Sequence, residues 1–168
     1  APRLLATLSQ TGARGLFRQV SARDGLTEWR ARDGSGLVFR SGILVRTYAL
    51  GHDLHAAEPG DLLARFASGQ GGRTTRIHRY IDGENREIVR AFVCDVTIGP
   101  ERGGPGGAVR DITERCAGTD MDFTNRYVRA RSGRIVSSAQ WVGPEVGYLR
   151  TGPPEIGRPA IVPIAVTN

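Results

Sequence analysis

Residues 74–98 read TTRIHRYI, DGEN, REIVRAFVCDVTI: two runs rich in β-branched and aromatic residues, parted by four turn-forming residues. Such runs bounded by Asp, Gly and Asn predict a β-hairpin. The second run, 86–98, has a β-branched and aromatic centre that is apolar at odd and even positions alike, which predicts a strand in the centre of a sheet. A long antiparallel hairpin in mid-chain, with no alternation of strands and helices around it, excludes a doubly wound α/β fold.

The flanking sequence extends the pattern. LTEWRAR (26–32), the turn DGSG, LVFR (37–40), SG, and ILVRTYAL (43–50) predict three consecutive antiparallel strands. AVRDITERC (108–116) reads as a strand, and MDFTNRYVRA (121–130), RSGR and IVSSAQWV (135–142) as another hairpin. Leu4, Leu5 and Leu8, followed by Gly12, predict a short helix over 3–11, and PGDLLARFAS (59–68) predicts a second. GPERGGPGG (99–107) reads as the most mobile loop, and the tail 151–168, with Pro153, Pro154, Pro159 and Pro163, can make only an edge strand. The expected fold is mainly β: an antiparallel barrel-like or two-sheet arrangement of hairpins with one or two short helices, forming a single domain over 1–168.

No run of about 18 apolar residues occurs, so no membrane-spanning helix is expected, and APRLLATLSQTG lacks the basic and apolar regions of an export signal. The net charge of +6 rests on arginine alone, because the chain has no lysine. Two explanations stay open: recognition of carboxylates, phosphates or sulfates by guanidinium groups, or an arginine-rich composition without function. The arginines run from Arg3 to Arg158 without a cluster, which argues against a nucleic-acid partner.

Cys94 and Cys116 are the two cysteines. They read as a disulfide, implying an oxidising compartment, with two separate buried thiols as the alternative. His52 and His55 in YALGHDLHAAE stand at His-x-x-His spacing beside Asp53 and Glu58, but Gly51 and Pro59 leave no room for the helix of a zinc site, so neither a metal nor a cofactor is expected. The glycine runs lack the lysine of a phosphate loop, and no Gly-x-Ser-x-Gly elbow accompanies His78. Asp111, Glu114, Asp120, Asp122 and Glu145 could supply a pair of glycosidase-type carboxylates, or could simply be solvated charges at strand ends. Aromatic residues beside arginines, in EWR, RTY, HRYI, NRYVR and QWVGPEVGYLR, suit carbohydrate or acidic-polymer binding, with Trp29, Tyr80, Tyr127 and Trp141 as core or half-buried sheet residues the alternative. The binding candidates are Trp29, Tyr48, Asp53, Arg126, Tyr127, Trp141, Glu145 and Tyr148.

The phrases LTEWRARDGSGLVFRSGILVRTYALGHDLHAAE, RYIDGENREIVRAFVCDV and FTNRYVRARSGRIVSSAQWVGPEVGYL, in that order, resemble the YjbF/GfcB family of bacterial lipoproteins over about 3–150. The most specific piece is QWVGPEVGY, preceded by NRYVRARSGRI. The resemblance implies a non-enzymatic accessory protein of group 4 capsule or exopolysaccharide export, whose partners are the polysaccharide or proteins of the export machinery. It implies an outer-membrane location with a lipidated cysteine at the mature N-terminus; this chain begins at Ala1 without that cysteine. The family phrase also matches Leu50, Gly51, Asp53, Leu54, Ala57 and Glu58 but neither His52 nor His55, implying a turn organised by Asp53. The rival reading is a polysaccharide-modifying enzyme using two of the carboxylates, and a third is a purely structural subunit.

Overall fold

The computed structural model describes residues 1–154. Among them, thirteen strands and one helix follow in the order β1 (Arg3–Leu8), β2 (Arg14–Arg23), β3 (Leu26–Arg30), β4 (Gly36–Arg40), β5 (Ile43–Tyr48), β6 (Ala56–Glu58), α1 (Leu62–Ser68), β7 (Gly72–Ile81), β8 (Glu87–Ile98), β9 (Arg102–Gly104), β10 (Gly107–Ala117), β11 (Asp122–Ala130), β12 (Ile135–Gly143) and β13 (Gly147–Gly152). All belong to one antiparallel sheet ordered β5-β4-β3-β2-β1-β13-β12-β11-β10-β8-β7-β6, with β9 pairing β10. The first and last strands meet directly, Leu5 opposite Gly152 and Leu8 opposite Leu149. The two edges, β5 and β6, are consecutive in the chain, and the Thr47 N–H donates to the Leu54 carbonyl (3.0 Å) between them. The sheet is a nearly closed barrel-like wall, which leaves little exposed edge.

Strand alternation sorts the side chains. On β4, Leu37 and Phe39 point inward to a cluster with Ala6, Phe17, Leu44, Val142 and Leu149. On β8, Phe92, Cys94 and Val96 are buried, while Ala91, Val93 and Asp95 face out. This strand does lie inside the sheet order, between β7 and β10. Its apolar residues are divided between the two faces, and Val89 and Val93 lie on the outer wall, each about half exposed. Its valines suit the pleated backbone without all being core residues.

Helix α1 begins three residues later than the sequence pattern suggests. It drops Leu62 and Phe66 against Ile43, Val96, Ile112 and Tyr127 and ends at Gly69 in the left-handed region (φ 68°). The helix predicted over 3–11 is strand β1. Leu4, Ala6 and Leu8 lie on its inner face, and pairing with both β2 and β13 satisfies its backbone, outweighing a short helical pattern. Segment 99–107 is likewise ordered: β9 folds back on β10, and Arg102 donates to both oxygens of Asp111 (2.6 and 2.8 Å). Cys94 and Cys116 stand opposite each other on β8 and β10 and form the disulfide. Thr151 and Gly152 close β13; the edge strand expected of the remaining proline-rich tail lies outside the described residues. No helix among the described residues is long and apolar enough to cross a membrane.

Candidate functional site

Strands β1–β5 carry most of the chain's net charge. Residues 1–48 hold eight arginines against three acidic residues, a balance of +5 within a whole-chain balance of +6. Register lines several of them up. Arg3 on β1 stands opposite Arg18 on β2, and Arg18 opposite Arg30 on β3. The same row continues through Gly36 to Tyr48. Directly opposed like charges destabilise a sheet, and neither Arg3 nor Arg18 has an acidic partner among the described residues.

Tyr48 organises the end of the row. The guanidinium carbons of Arg30 and Arg46 lie over its ring, 4.6 and 4.5 Å from the centroid, a cation–π arrangement. Arg30 reaches the ring across Gly36, where a Cβ would come within 2.9 Å of the guanidinium and 3.0 Å of the Tyr48 ring. Glu28 accepts from Arg30 Nη2 (2.6 Å) and Nε (3.0 Å), neutralising that one member. A surface groove of about 610 Å³ opens beside the row, where Arg3, Arg18, Arg30 and Arg32 share its lining with the apolar Leu16, Phe17 and Ala31. Asp33, also on its lining, is turned onto the backbone and hydroxyl of Ser35.

The other sequence candidates lie elsewhere. Trp29 packs half-buried on the inner cluster, facing away from the arginine row. Tyr127 is fully buried and offers a polymer no surface. Trp141 and Tyr148 are half-buried and meet edge to face at 5.1 Å, with Trp141 stacked on Phe123. The Tyr148 hydroxyl accepts from the Thr124 N–H (2.9 Å), so this pair braces β11 against β13. Arg126 is half-buried on β11, and Glu145 is exposed in the β12–β13 turn. Only Tyr48 of the eight candidates belongs to the arginine row.

Of the five carboxylates weighed for catalysis, Glu114 is sealed inside. It accepts from Arg76 at 2.9 and 3.0 Å, from Asn125 at 2.9 Å and from the Tyr127 hydroxyl at 3.0 Å. Both of its oxygens are engaged by neighbours that are themselves buried. Burial, with the Glu114 carboxylate beside it, holds the Tyr127 phenol well above its ordinary range. Asp111 is held by Arg102, which lowers its pKa, and Asp120 lies 3.6 Å from Arg90. Asp122 is exposed at the start of β11.

The network continues from Arg76 Nη1 to His78 Nε2 (3.3 Å), from His78 Nδ1 to the Tyr80 hydroxyl (3.2 Å), and from that hydroxyl to the Val142 carbonyl (2.6 Å). Since Arg76 can only donate, His78 accepts at Nε2 and carries its proton on Nδ1. Burial first and the Arg76 charge second push the His78 pKa down to about 3. The unfolded chain therefore takes up a proton below pH 6.5 that the folded chain refuses, and stability falls with falling pH. The loss is about 1.4 kcal/mol for each pH unit between 6.5 and about 3, where the folded chain takes up the proton too. Urea unfolding of wild type and His78→Phe between pH 7 and pH 5 is expected to show this slope in the wild type alone; parallel slopes would refute it.

The histidine stretch forms the barrel seam. Asp53 accepts from the Thr47 hydroxyl (2.8 Å) and from the N–H groups of Ala49 (3.0 Å) and Leu50 (3.1 Å), and Leu54 N–H donates to Thr47 Oγ1 (3.0 Å). This side-chain-to-backbone turn is what Asp does well. His52 is exposed, and His55 contributes its backbone N–H to Arg79. Among the described residues, the one group at metal-ligating distance is Cys94, Glu114 and Cys116, whose sulfurs are joined to each other. Asp53→Ala is expected to cost about 2 kcal/mol, and the His52→Ala/His55→Ala double variant to leave the unfolding midpoint and metal content unchanged; calorimetry and elemental analysis measure both.

Comparisons with known proteins agree with this architecture. The family described as "Group 4 capsule polysaccharide lipoprotein gfcB, YjbF" matches residues 4–152. The crystal structure of the hypothetical lipoprotein YmcC from Escherichia coli K12 is similar, with a TM-score of 0.75 at 18% identity, covering 89% of this chain and 81% of that one. At that identity the likeness concerns the fold. A search of curated proteins finds no match to this sequence.

Proposed function

We propose, from the premise that this chain belongs to the YjbF (GfcB) family of group 4 capsule polysaccharide lipoproteins, that it is a non-enzymatic accessory protein of capsule or exopolysaccharide export or assembly. In this reading it works in the bacterial envelope, held by a lipid at the outer membrane on the periplasmic side, and binds the polymer on the outer wall of β1–β5. The observation that carries the binding step is the alignment of Arg3, Arg18 and Arg30 on three adjacent strands beside an open groove. The carboxylate pair of the rival enzymatic reading gains no support from Glu114, whose two oxygens are both engaged by buried donors.

The test is affinity electrophoresis of the protein through gels containing the extracellular polysaccharide of its own bacterium, alongside export assays in a deletion strain. Retarded migration and impaired export are expected. Unretarded migration with normal export would overturn the proposal, and a change in polymer length or substituents on incubation would favour the enzyme.

A further inference from the structure

We infer that the arginine row selects an acidic polysaccharide, one whose sugars carry carboxylate groups, and that the polymer lies across strands β1–β3 rather than along them; this deepens, and rests on, the polymer-binding reading above. Adjacent strands lie about 4.8 Å apart, so the opposed residues Arg3, Arg18 and Arg30 repeat at a pitch comparable to one sugar of an extended chain. The guanidinium groups of Arg3 and Arg18 can each take a carboxylate through two parallel hydrogen bonds, while Arg30, already joined to Glu28, marks the end of the row. Arg3 and Arg18 are exposed and lack acidic partners among the described residues, so a polyanion would relieve the repulsion built into the row.

Two further observations separate this ligand from its rivals. Stacking of a neutral sugar calls for an open aromatic face, and the Tyr48 ring at the end of the row already has the Arg30 and Arg46 guanidinium groups over it. Tyr48 is thus a positioning residue that holds the two cations. A membrane surface is flat, whereas the row crosses strands of a curving barrel-like wall; a flexible chain can follow that curvature and a plane cannot.

The experiment measures binding of the full chain to polygalacturonate, to neutral dextran, to the native extracellular polymer and to phosphatidylglycerol vesicles. Polygalacturonate is expected to bind in a salt-sensitive way and dextran not to. Removing two exposed charge contacts in Arg3→Ala/Arg18→Ala is expected to weaken polygalacturonate binding about tenfold. The same charge change in Arg110→Ala/Arg115→Ala, on β10, should leave binding unchanged. Tyr48→Ala should weaken binding and Tyr48→Phe restore it, at unaltered unfolding midpoint. If the native polymer binds but dextran matches polygalacturonate, or Arg3→Ala/Arg18→Ala binds like wild type, acid selection is overturned while polymer binding stands. Vesicle binding that depends on Arg3 and Arg18, without polygalacturonate binding, would also overturn it and assign the wall to a membrane surface.

Discussion

Glu114→Ala is expected to destabilise the protein by about 3–5 kcal/mol, the cost of stripping one partner from a buried ion pair. The carboxylate is fully buried and serves three donor residues at once: Arg76, Asn125 and Tyr127. Its removal leaves the Arg76 guanidinium, only 2% exposed, without a counter-charge in the barrel interior. Against a typical total of about 5–15 kcal/mol for a folded domain, such a loss moves the urea midpoint far down. A double variant, Arg76→Met/Glu114→Leu, removes both charges and keeps apolar volume, so it should recover most of the loss. Equal losses in the single and double variants would show that packing, rather than an orphaned charge, dominates there.

The second large effect is expected from the disulfide. Cys94 and Cys116 are fully buried and directly opposed on β8 and β10, with a sequence separation of 22. Closing a loop of that length restricts the unfolded chain by about 3 kcal/mol on the chain-entropy model. Cys94→Ala/Cys116→Ala should therefore unfold at lower denaturant, and wild type unfolded in reductant should follow it. Since both sulfurs are shielded inside the wall, reductant should cleave the bond in native protein only as fast as the barrel opens. Coincident midpoints with and without reductant would rule this contribution out.

These two predictions rest on different kinds of legibility. The cysteine pair reads as a disulfide because the chain's two cysteines form no Cys-x-x-Cys and have no histidine at metal-ligand spacing beside them. Glu114 is less legible: a carboxylate between Thr113 and Arg115 looks like a solvated strand residue. The available signal was its alternation with Ile112 and Cys116, which puts it on the apolar face of β10, as Thr74, Arg76 and His78 share the inner face of β7. Periodicity assigns a face, but it does not say which residue on another strand waits opposite. Strand β1 shows the reverse failure. Six residues with Leu4, Leu5 and Leu8 satisfy a helical spacing and a strand spacing at once, and only pairing with β2 and β13 decides between them.

The sequence by itself determined the hairpins around 26–50, 74–98 and 121–142 and the short helix before β7, because each depends on neighbours a few residues away, and through the hairpins it determined the class of fold; the turn at Asp53 was implied by the family resemblance. The tertiary structure alone decided the closure of β5 towards β6, the burial of Glu114 with Arg76, and the row of Arg3, Arg18 and Arg30. In sequence those three arginines are scattered among apolar and polar residues; strand register sets them side by side, and register is a property of the whole sheet.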